Sequence, residues 1–247
     1  MTSRDATSYL PLRETVDHRI RRKSLSDWAH ILAFGAIGWP WLLRSLSGGS
    51  AERRAAVLEK IGLPQDALPN LGSWKADAAL LDIIAETVLE RRPETVMEFG
   101  MGATTLVIAQ ALALNDSGQL ISFDQHEEYV ALVRDWLWEH ELEADLRHAP
   151  LIATSKDWPG RWYMHGSLPE RIDLLIVDGP PWAVHPFGRG AADCVFERIP
   201  SGGVILMDDG ARPGERIIAR RWRKRWPDFD FHLEKTGTKG TLIGVRR

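Results

Sequence analysis

Five acidic residues stand at or just beyond the ends of short apolar runs along the chain. Glu98 lies within VMEFGMGATT and Asp124 ends ISFD, while Asp178 follows LLIV and the pair Asp208 and Asp209 follows GGVILM. Each run has the length and composition of a strand buried in a parallel sheet. Because the carboxyl ends of parallel strands meet at one edge, we expect these carboxylates to converge there. Carboxylates in such a place can bind a cation, accept ribose hydroxyls or take a proton from a reacting group.

The stretch VMEFGMGATT also carries a pair of glycines, Gly100 and Gly102. Residues without a Cβ allow a sharp bend and a close approach of ligand to backbone, and the helix that follows presents free N–H groups. A dinucleotide site would have a third glycine where Thr105 stands, and Glu98 would repel a pyrophosphate. The turn therefore favours a positively charged ligand. Asp124, 24 residues after Gly100, is placed to accept the two hydroxyls of a ribose.

Helical and strand patterns alternate from residue 77 onward. The predicted helices are 77–91, 105–114, 127–140, 191–199 and 215–226, and the predicted strands are 95–99, 119–124, 144–151, 172–177, 203–207, 229–235 and 240–246. The alternation predicts an α/β fold, a Rossmann-like doubly wound and mostly parallel seven-stranded sheet with an antiparallel hairpin at its C-terminal edge. Residues 1–73 are predicted to form an N-terminal helical extension, and residues 74–247 the main domain.

From about residue 74 the chain resembles the class I S-adenosylmethionine-dependent methyltransferases, with Glu98 to Gly102 as the first motif and Asp124 as the second. The resemblance implies an enzyme that binds S-adenosyl-L-methionine. The residues that it implies for the cofactor are Glu98, Gly100, Gly102, Thr104, Asp124, Gln125, Ala149 and Asp178.

The later acids are similar to those of the cation-dependent O-methyltransferases of the catechol and macrolide-sugar types. This implies that Asp178, Asp208 and Asp209 hold Mg²⁺ or another divalent cation, which would lower the pKa of an acceptor hydroxyl. Residues 179–182, GPPW, replace the basic residue of the catechol type, and Asp209 stands where that type has an asparagine. A site that binds no metal therefore remains an alternative. The predicted reaction is methyl transfer to an oxygen of a small-molecule acceptor.

The loop that follows Asp178 supplies further candidates for the chemistry. Asp178 itself and His185 are the predicted catalytic residues, with His185 as a general base that would replace or assist the metal. An aromatic cluster either walls the acceptor or packs the core, and it consists of Trp158, Trp162, Tyr163 and Trp182.

Composition limits the other functional classes to which the protein could belong. A net charge of −3 argues against a general nucleic-acid binder, although the basic helix 216–226 leaves an RNA methyltransferase as an alternative. A non-catalytic S-adenosylmethionine-binding protein is the second alternative. Cys194 is the only cysteine, which excludes an intramolecular disulfide and predicts a reducing, cytoplasmic location.

Residues 28–43, WAHILAFGAIGWPWLL, contain no charged residue and lie between the basic run 19–23 and Arg44. The segment is shorter than the ~20 residues of a membrane-spanning helix, and we expect Pro40 to break it. Four alternatives remain open. The segment spans a membrane despite its length, lies in a membrane interface and makes peripheral contact, covers the core or the acceptor mouth, or joins two copies in a homodimer.

Overall fold

The computed structural model describes residues 24–68, 71–72, 75–154 and 157–247. Its helices are α1 (Leu25–Ser45), α2 (Ala51–Ile61), α3 (Ala78–Arg91), α4 (Ala103–Asn115), α5 (Glu127–Glu139) and α6 (Pro213–Arg225), and a 3₁₀ helix covers Gly188–Arg198. Its strands are β1 (Thr95–Phe99), β2 (Gln119–Asp124), β3 (Asp145–His148), β4 (Leu151–Ala153), β5 (Arg161–Tyr163), β6 (Leu174–Val177), β7 (Val204–Met207), β8 (Phe229–Glu234) and β9 (Thr241–Arg246).

The predicted fold class is confirmed. Within the described residues the main sheet has seven strands in the order β3-β2-β1-β6-β7-β9-β8. The first five of these run parallel, whereas β9 pairs antiparallel with both β7 and β8. The chain reverses direction across the sheet between β1 and β6, which places a crevice beyond the carboxyl ends of these two strands.

Alternate side chains of the central strands enter two separate apolar cores. Val96, Ile176 and Leu206 pack beneath α2, α3, α4 and α5, while Phe99 and Val177 pack on the opposite face with α6 and the 3₁₀ helix. Both faces are covered, as a buried parallel sheet requires. The second core contains the aromatic residues Trp158 and Trp162.

Two element predictions differ from the structure. The strand predicted at 144–151 ends at His148. Ala149 donates the last bond of the ladder to the carbonyl of Asp124, and Pro150 has no N–H to extend it. The following residues form β4, which pairs with β5 in a separate two-stranded sheet. The helix predicted at 191–199 is a 3₁₀ helix that begins earlier, at Gly188.

The described part of the N-terminal region, from residue 24, contains helices as predicted, but Pro40 does not break the first of them. Helix α1 continues through Pro40 to Ser45, beginning at a capping box formed by Ser24 and Asp27. No helix among the described residues is long and apolar enough to cross a membrane. The predicted boundary at 73–74 falls outside the described residues and stays a prediction, as does the structure of the basic run 19–23.

Candidate functional site

A cleft of about 1120 Å³, solvent at its mouth included, opens at the carboxyl edge of β1, β2 and β6. Its walls come from the glycine turn after β1, the end of β2, the turn after β6 and the segment after β7. The residues that line it include Gly100, Gly102, Asp124, Gln125, Tyr129, Tyr163, Asp178, Trp182, Arg189, Asp209 and Arg212. The cleft therefore brings together most of the predicted cofactor residues with two of the three predicted metal ligands.

The two glycines of the first turn are required by backbone geometry. Gly100 has a φ of 95°, and a Cβ there would lie 2.5 Å from the backbone nitrogen of Gly179. The turns after β1 and β6 are therefore pressed together, and only a residue without a side chain fits between them. Gly102 has a φ of 155°, and a Cβ there would approach the Tyr129 hydroxyl at 3.1 Å.

Glu98 lies beneath the cleft rather than in its wall. Its carboxylate is fully buried and accepts hydrogen bonds from the hydroxyls of Thr104, Thr105 (2.7 Å) and Ser122 (2.5 Å). Burial raises the pKa of Glu98 to about 7, against the opposing effect of these three donors. Glu98 and Thr104 were both predicted to bind the cofactor, but neither lines the cleft, and their side chains bond to each other beneath the turn.

Asp124 closes the opposite wall. Its carboxylate accepts from the backbone N–H of His126 at 2.8 Å and from that of Met101 at 3.4 Å, and burial raises its pKa to about 7. Next to it, the buried Oε1 atom of Gln125 accepts no hydrogen bond from the described residues. This acceptor is suited to a ligand that brings its own N–H or O–H group. Ala149, also predicted to contact the cofactor, is buried behind Asp124 and does not line the cleft.

The three predicted metal ligands do come together. One oxygen from each of Asp178, Asp208 and Asp209 lies within 4.8 Å of the others, which is the composition of a cation site. Positive side chains already contact all three acids. Lys239 Nζ lies 3.0 Å from Asp208 Oδ2, Arg189 Nη1 lies 3.0 Å from Asp209 Oδ2, and Arg212, Lys239 and Arg189 make further ion pairs in the cluster.

These contacts test whether a divalent cation fits. The repulsion among three carboxylates, which a metal would relieve, is here balanced by the three basic residues Lys239, Arg189 and Arg212. A Mg²⁺ ion bound by all three acids would lie within a few ångströms of an ammonium and a guanidinium group, and would have to displace them. The acids supply enough oxygen atoms for a cation, but the cluster as arranged does not fit one.

The acids of the cluster differ in their preferred protonation state. Burial and the neighbouring Asp208 raise the pKa of Asp178 well above its usual value, with Arg189 opposing. For Asp209, burial is outweighed by Lys239, Arg212 and Arg189, and the pKa falls to about 2. The pKa of Asp208 is raised as well, but Asp178 is the acid of the cluster that combines a raised pKa with a place in the wall of the cleft.

The hairpin turn between β8 and β9 holds Lys239 in place. Asp77, which caps α3 by accepting from Leu80 N at 2.9 Å, also accepts from the backbone N–H and the hydroxyl of Thr238, at 2.7 and 2.8 Å. Lys239 Nζ donates in addition to the carbonyl of Lys75 at 2.6 Å. Both ends of the turn are thereby fixed, so the ammonium group enters the acid cluster as part of the framework.

His185 is not at the cleft, so the expectation that it acts there as a general base is not supported by its position. Its ring is buried against His30 and Phe187, with centroids 5.5 and 5.4 Å away, and its Nδ1 accepts the N–H of Phe187 at 3.1 Å. The loop after β6 turns back under α1, because Trp182 packs against Gly35 of that helix. His185 thus joins the loop to α1.

Sequence reasoning missed the basic members of the cluster. Arg189 stands between two glycines as the only charged residue of 179–192, which is a usable signal for a buried arginine. Lys239 gives no such signal, because a lysine in a hairpin turn is ordinarily solvated. Of the aromatic cluster, Tyr163 and Trp182 line the cleft, whereas Trp158 and Trp162 pack the core. The hydroxyl of Tyr163 is buried and has no hydrogen-bond partner among the described residues.

Comparison with known proteins agrees with this geometry. Residues 97–210 match the family model described as a methyltransferase domain. The fold is similar to the methyltransferase PaMTH1 of Podospora anserina bound to SAH, with 13% identity, a TM-score of 0.54, and coverage of 81% of this chain and 89% of that one. It is also similar to an O-methyltransferase of Bacillus cereus in complex with SAH (14%, TM-score 0.54, coverage 79% and 91%).

A third similar structure is the O-methyltransferase TomG of Streptomyces achromogenes, involved in tomaymycin synthesis and in complex with SAM (14% identity, TM-score 0.51, coverage 79% and 88%). No curated protein sequence matches the chain. Residues 97–210 therefore form a methyltransferase domain, and the strand order and the cleft beyond β1 and β2 are those of the class I S-adenosylmethionine-dependent methyltransferase fold.

Proposed function

We propose that the protein transfers a methyl group from S-adenosylmethionine to an oxygen atom of a small hydroxylated molecule. The observation that carries the proposal is that Asp124 and Asp178 line one cleft from two different strand ends. One acid is then available to a nucleoside and the other to an acceptor. The names of the similar structures from Bacillus cereus and Streptomyces achromogenes, both O-methyltransferases, support oxygen as the acceptor atom.

The residues of the cleft fit S-adenosylmethionine, which when bound supplies a sulfonium-activated methyl group. Asp124 accepts the ribose hydroxyls, and the unpartnered Oε1 of Gln125 accepts from the adenine or the ribose. Gly100 and Gly102 give the ligand access to the backbone of the turn. Glu98 and Thr104 contribute by bracing that turn, and Ala149 by holding the end of β2 through its bond to Asp124.

Asp178 is the proposed general base. Because burial beside Asp208 raises its pKa, its carboxylate has a higher affinity for a proton than an exposed carboxylate and can accept one from the acceptor hydroxyl. The acceptor oxygen then forms its bond to the methyl carbon as the bond from carbon to sulfur breaks, and the proton stays on Asp178. The Tyr163 hydroxyl donates to the acceptor, which gives it a partner it otherwise lacks.

In this proposal Lys239, Arg189 and Arg212 do what a divalent cation does in related enzymes, which is to hold three acids together. No step depends on a metal.

A cytoplasmic location remains a prediction from the single cysteine. Membrane contact and homodimer formation concern the outer face of α1, which is separate from the cleft.

The test combines cofactor binding with methyl transfer. Calorimetric titration with S-adenosylhomocysteine measures the first, and isotope-labelled S-adenosylmethionine with a panel of phenols, catechols, sugars and long-chain alcohols measures the second. Asp124→Ala should abolish binding. Asp178→Asn should leave binding within about threefold and lower kcat by about 10²–10⁴, the usual effect of losing a general base. Asp135→Asn, an exposed acid on α5, is the matched control.

Different outcomes separate the alternatives. A product methylated on nitrogen would contradict oxygen as the acceptor atom, and methylated RNA would contradict a small-molecule acceptor. An unchanged kcat in Asp178→Asn would exclude Asp178 as the general base. Tight cofactor binding without turnover on any acceptor would favour a non-catalytic binding protein. Absence of binding by the wild-type protein would overturn the proposal as a whole.

A further inference from the structure

The outer face of α1 is an apolar stripe. Its residues recur at intervals of three or four, as one face of a helix requires, and are exposed: Leu25, Trp28, Ala29, Leu32, Ala36, Trp39, Leu43 and, directly after the helix, Leu46. Leu32 is 69% exposed and Trp39 is 58% exposed. No charged or polar side chain interrupts the stripe. Exposed apolar area of this extent marks an interaction surface.

The opposite face of α1 is already occupied by the protein itself. Phe34 packs edge-on against Phe187 with centroids 4.9 Å apart, and Gly35 lies against the ring of Trp182. Asp27, the one acidic residue of α1, is on this inner side, 3.9 Å from His185. The helix is therefore held in a fixed orientation, and the apolar stripe is its solvent-facing side.

The apolar stripe meets the start of α6, which is a strongly basic helix. Trp39 shares a crevice with Pro213 and Gly214 at the start of α6, and all six basic residues of the next turns of that helix are exposed: Arg216, Arg220, Arg221, Arg223, Lys224 and Arg225. Four of the five residues in the run 19–23, which precedes α1 in the chain, are basic. An apolar helix face with basic neighbours is complementary to a surface of anionic lipid.

Charge argues against a second copy of the chain as the main partner of the stripe. A second copy would bring the same exposed basic residues of α6 and no complementary negative charge, whereas anionic lipid supplies that charge. A membrane also surrounds the apolar face of a helix and accepts tryptophan at headgroup depth.

We propose that α1 lies in the surface of an anionic membrane, with its apolar stripe among the acyl chains and the basic residues of α6 near the headgroups. The protein is thereby a peripheral membrane protein. This inference rests on the outer surface of α1 and does not depend on the acceptor or on methyl transfer.

Sedimentation with phosphatidylcholine vesicles, with and without added phosphatidylglycerol, tests the proposal on the full chain. We expect binding that increases several-fold with phosphatidylglycerol and falls at high salt. Leu32→Ser and Leu43→Ser should each lower the partition coefficient about tenfold, the cost of losing one buried leucine side chain. Ile37→Ser is the matched control, because Ile37 is 55% exposed on the same helix but lies off the stripe. It should bind like the wild type.

Three results would overturn the proposal. The first is absence of vesicle binding at both lipid compositions, and the second is an equal loss of binding in Ile37→Ser and Leu32→Ser. The third is a dimer, measured by sedimentation velocity without lipid, that Leu32→Ser dissociates, since the stripe would then join two copies. The circular dichroism spectrum of each variant checks that α1 remains helical.

Discussion

Replacing Lys239 with methionine tests the central electrostatic feature of the site. Lys239 and Asp208 are both buried, with Nζ 3.0 Å from Asp208 Oδ2 and 3.6 Å from Asp209 Oδ1. At an effective dielectric constant of about 20, each contact contributes about 5 kcal/mol of Coulomb attraction. Burying the ammonium group opposes this by several kcal/mol. We therefore expect Lys239→Met to lower the free energy of unfolding by about 3–5 kcal/mol at pH 7, the usual effect of breaking a buried pair.

The loss should depend on pH in a defined direction. Burial and Asp209 already raise the pKa of Asp208, and without Lys239 the pKa rises further. A group whose pKa is raised by folding contributes stability below its unfolded pKa, and that stability is lost as the pH rises through the folded pKa. The variant should therefore be nearly as stable as the wild type close to pH 4, and its deficit should grow toward pH 8.

Chemical unfolding at several pH values measures these effects. Lys60→Met is the matched control, because Lys60 pairs with Asp82 at 2.5 Å on the surface and should contribute less than about 1 kcal/mol. The double variant Lys239→Met/Asp208→Asn removes one charge of each sign and should recover most of the loss. A Lys239→Met deficit no larger than that of Lys60→Met would refute the reasoning.

Lys239→Met also tests whether the acid cluster binds a metal ion. Wild-type protein should show no rise in Tm with Mg²⁺, since Lys239 and Arg189 already hold the acids. Lys239→Met should gain one, because Asp208 then lacks its positive partner. A Mg²⁺-dependent rise in the wild type would mean that the cation displaces the lysine, and the site would then be a metal site after all.

Three further predictions concern single residues. Asp124→Ala should weaken S-adenosylhomocysteine binding by at least 100-fold in calorimetry while Asp135→Ala does not, since only Asp124 lines the cleft. Glu98→Gln should gain stability relative to the wild type as the pH rises from about 4.5 to 7. The raised pKa of Glu98 makes its ionisation cost roughly 3 kcal/mol in the folded wild type. A difference in unfolding free energy between the two proteins that stays constant across this range would contradict the prediction. His185→Gln should lower the free energy of unfolding by about 1–2 kcal/mol, because the hydrogen bond to Phe187 is lost, and should leave the pH profile of kcat unchanged. Loss of one limb of that profile would show that His185 takes part in the reaction.

The convergence of the acids could be predicted from the sequence because it follows from strand ends. The runs ending near Asp124, Asp178 and Asp208 are short and largely apolar, and parallel strands bring their carboxyl ends to one edge. The direction of each side chain could not be predicted in the same way. Glu98 belongs to the same set, yet it points below the turn, because Thr104, Thr105 and Ser122 offer it three hydroxyl donors there.

The loop after β6 shows the same limit. His185 was predicted to be a general base because it follows a strand that ends at the cleft. The path of its loop, however, depends on packing against α1, which lies about 150 residues earlier in the chain. The lysine that pairs with the acid cluster is also distant from it in the sequence. Lys239 reaches Asp208 only because Asp77, on α3, holds the hairpin turn by accepting from Thr238. Contacts across such separations leave no periodic pattern in the sequence.

The cluster bears on how the reaction proceeds. A metal that held these acids could also bind the acceptor oxygen and lower its pKa directly. Lys239 and Arg189 are engaged with Asp208 and Asp209 and lie largely buried, so they compensate charge but offer the acceptor little. Removing the acceptor proton then falls to the one acid of the cluster that faces the cleft with a raised pKa, which is Asp178. In the proposed reaction Lys239, Arg189 and Arg212 balance the charge of Asp208 and Asp209 through contacts as short as 2.8–3.0 Å. Arg189 contacts Asp178 only at 3.5 Å, and this leaves that carboxylate able to take up a proton.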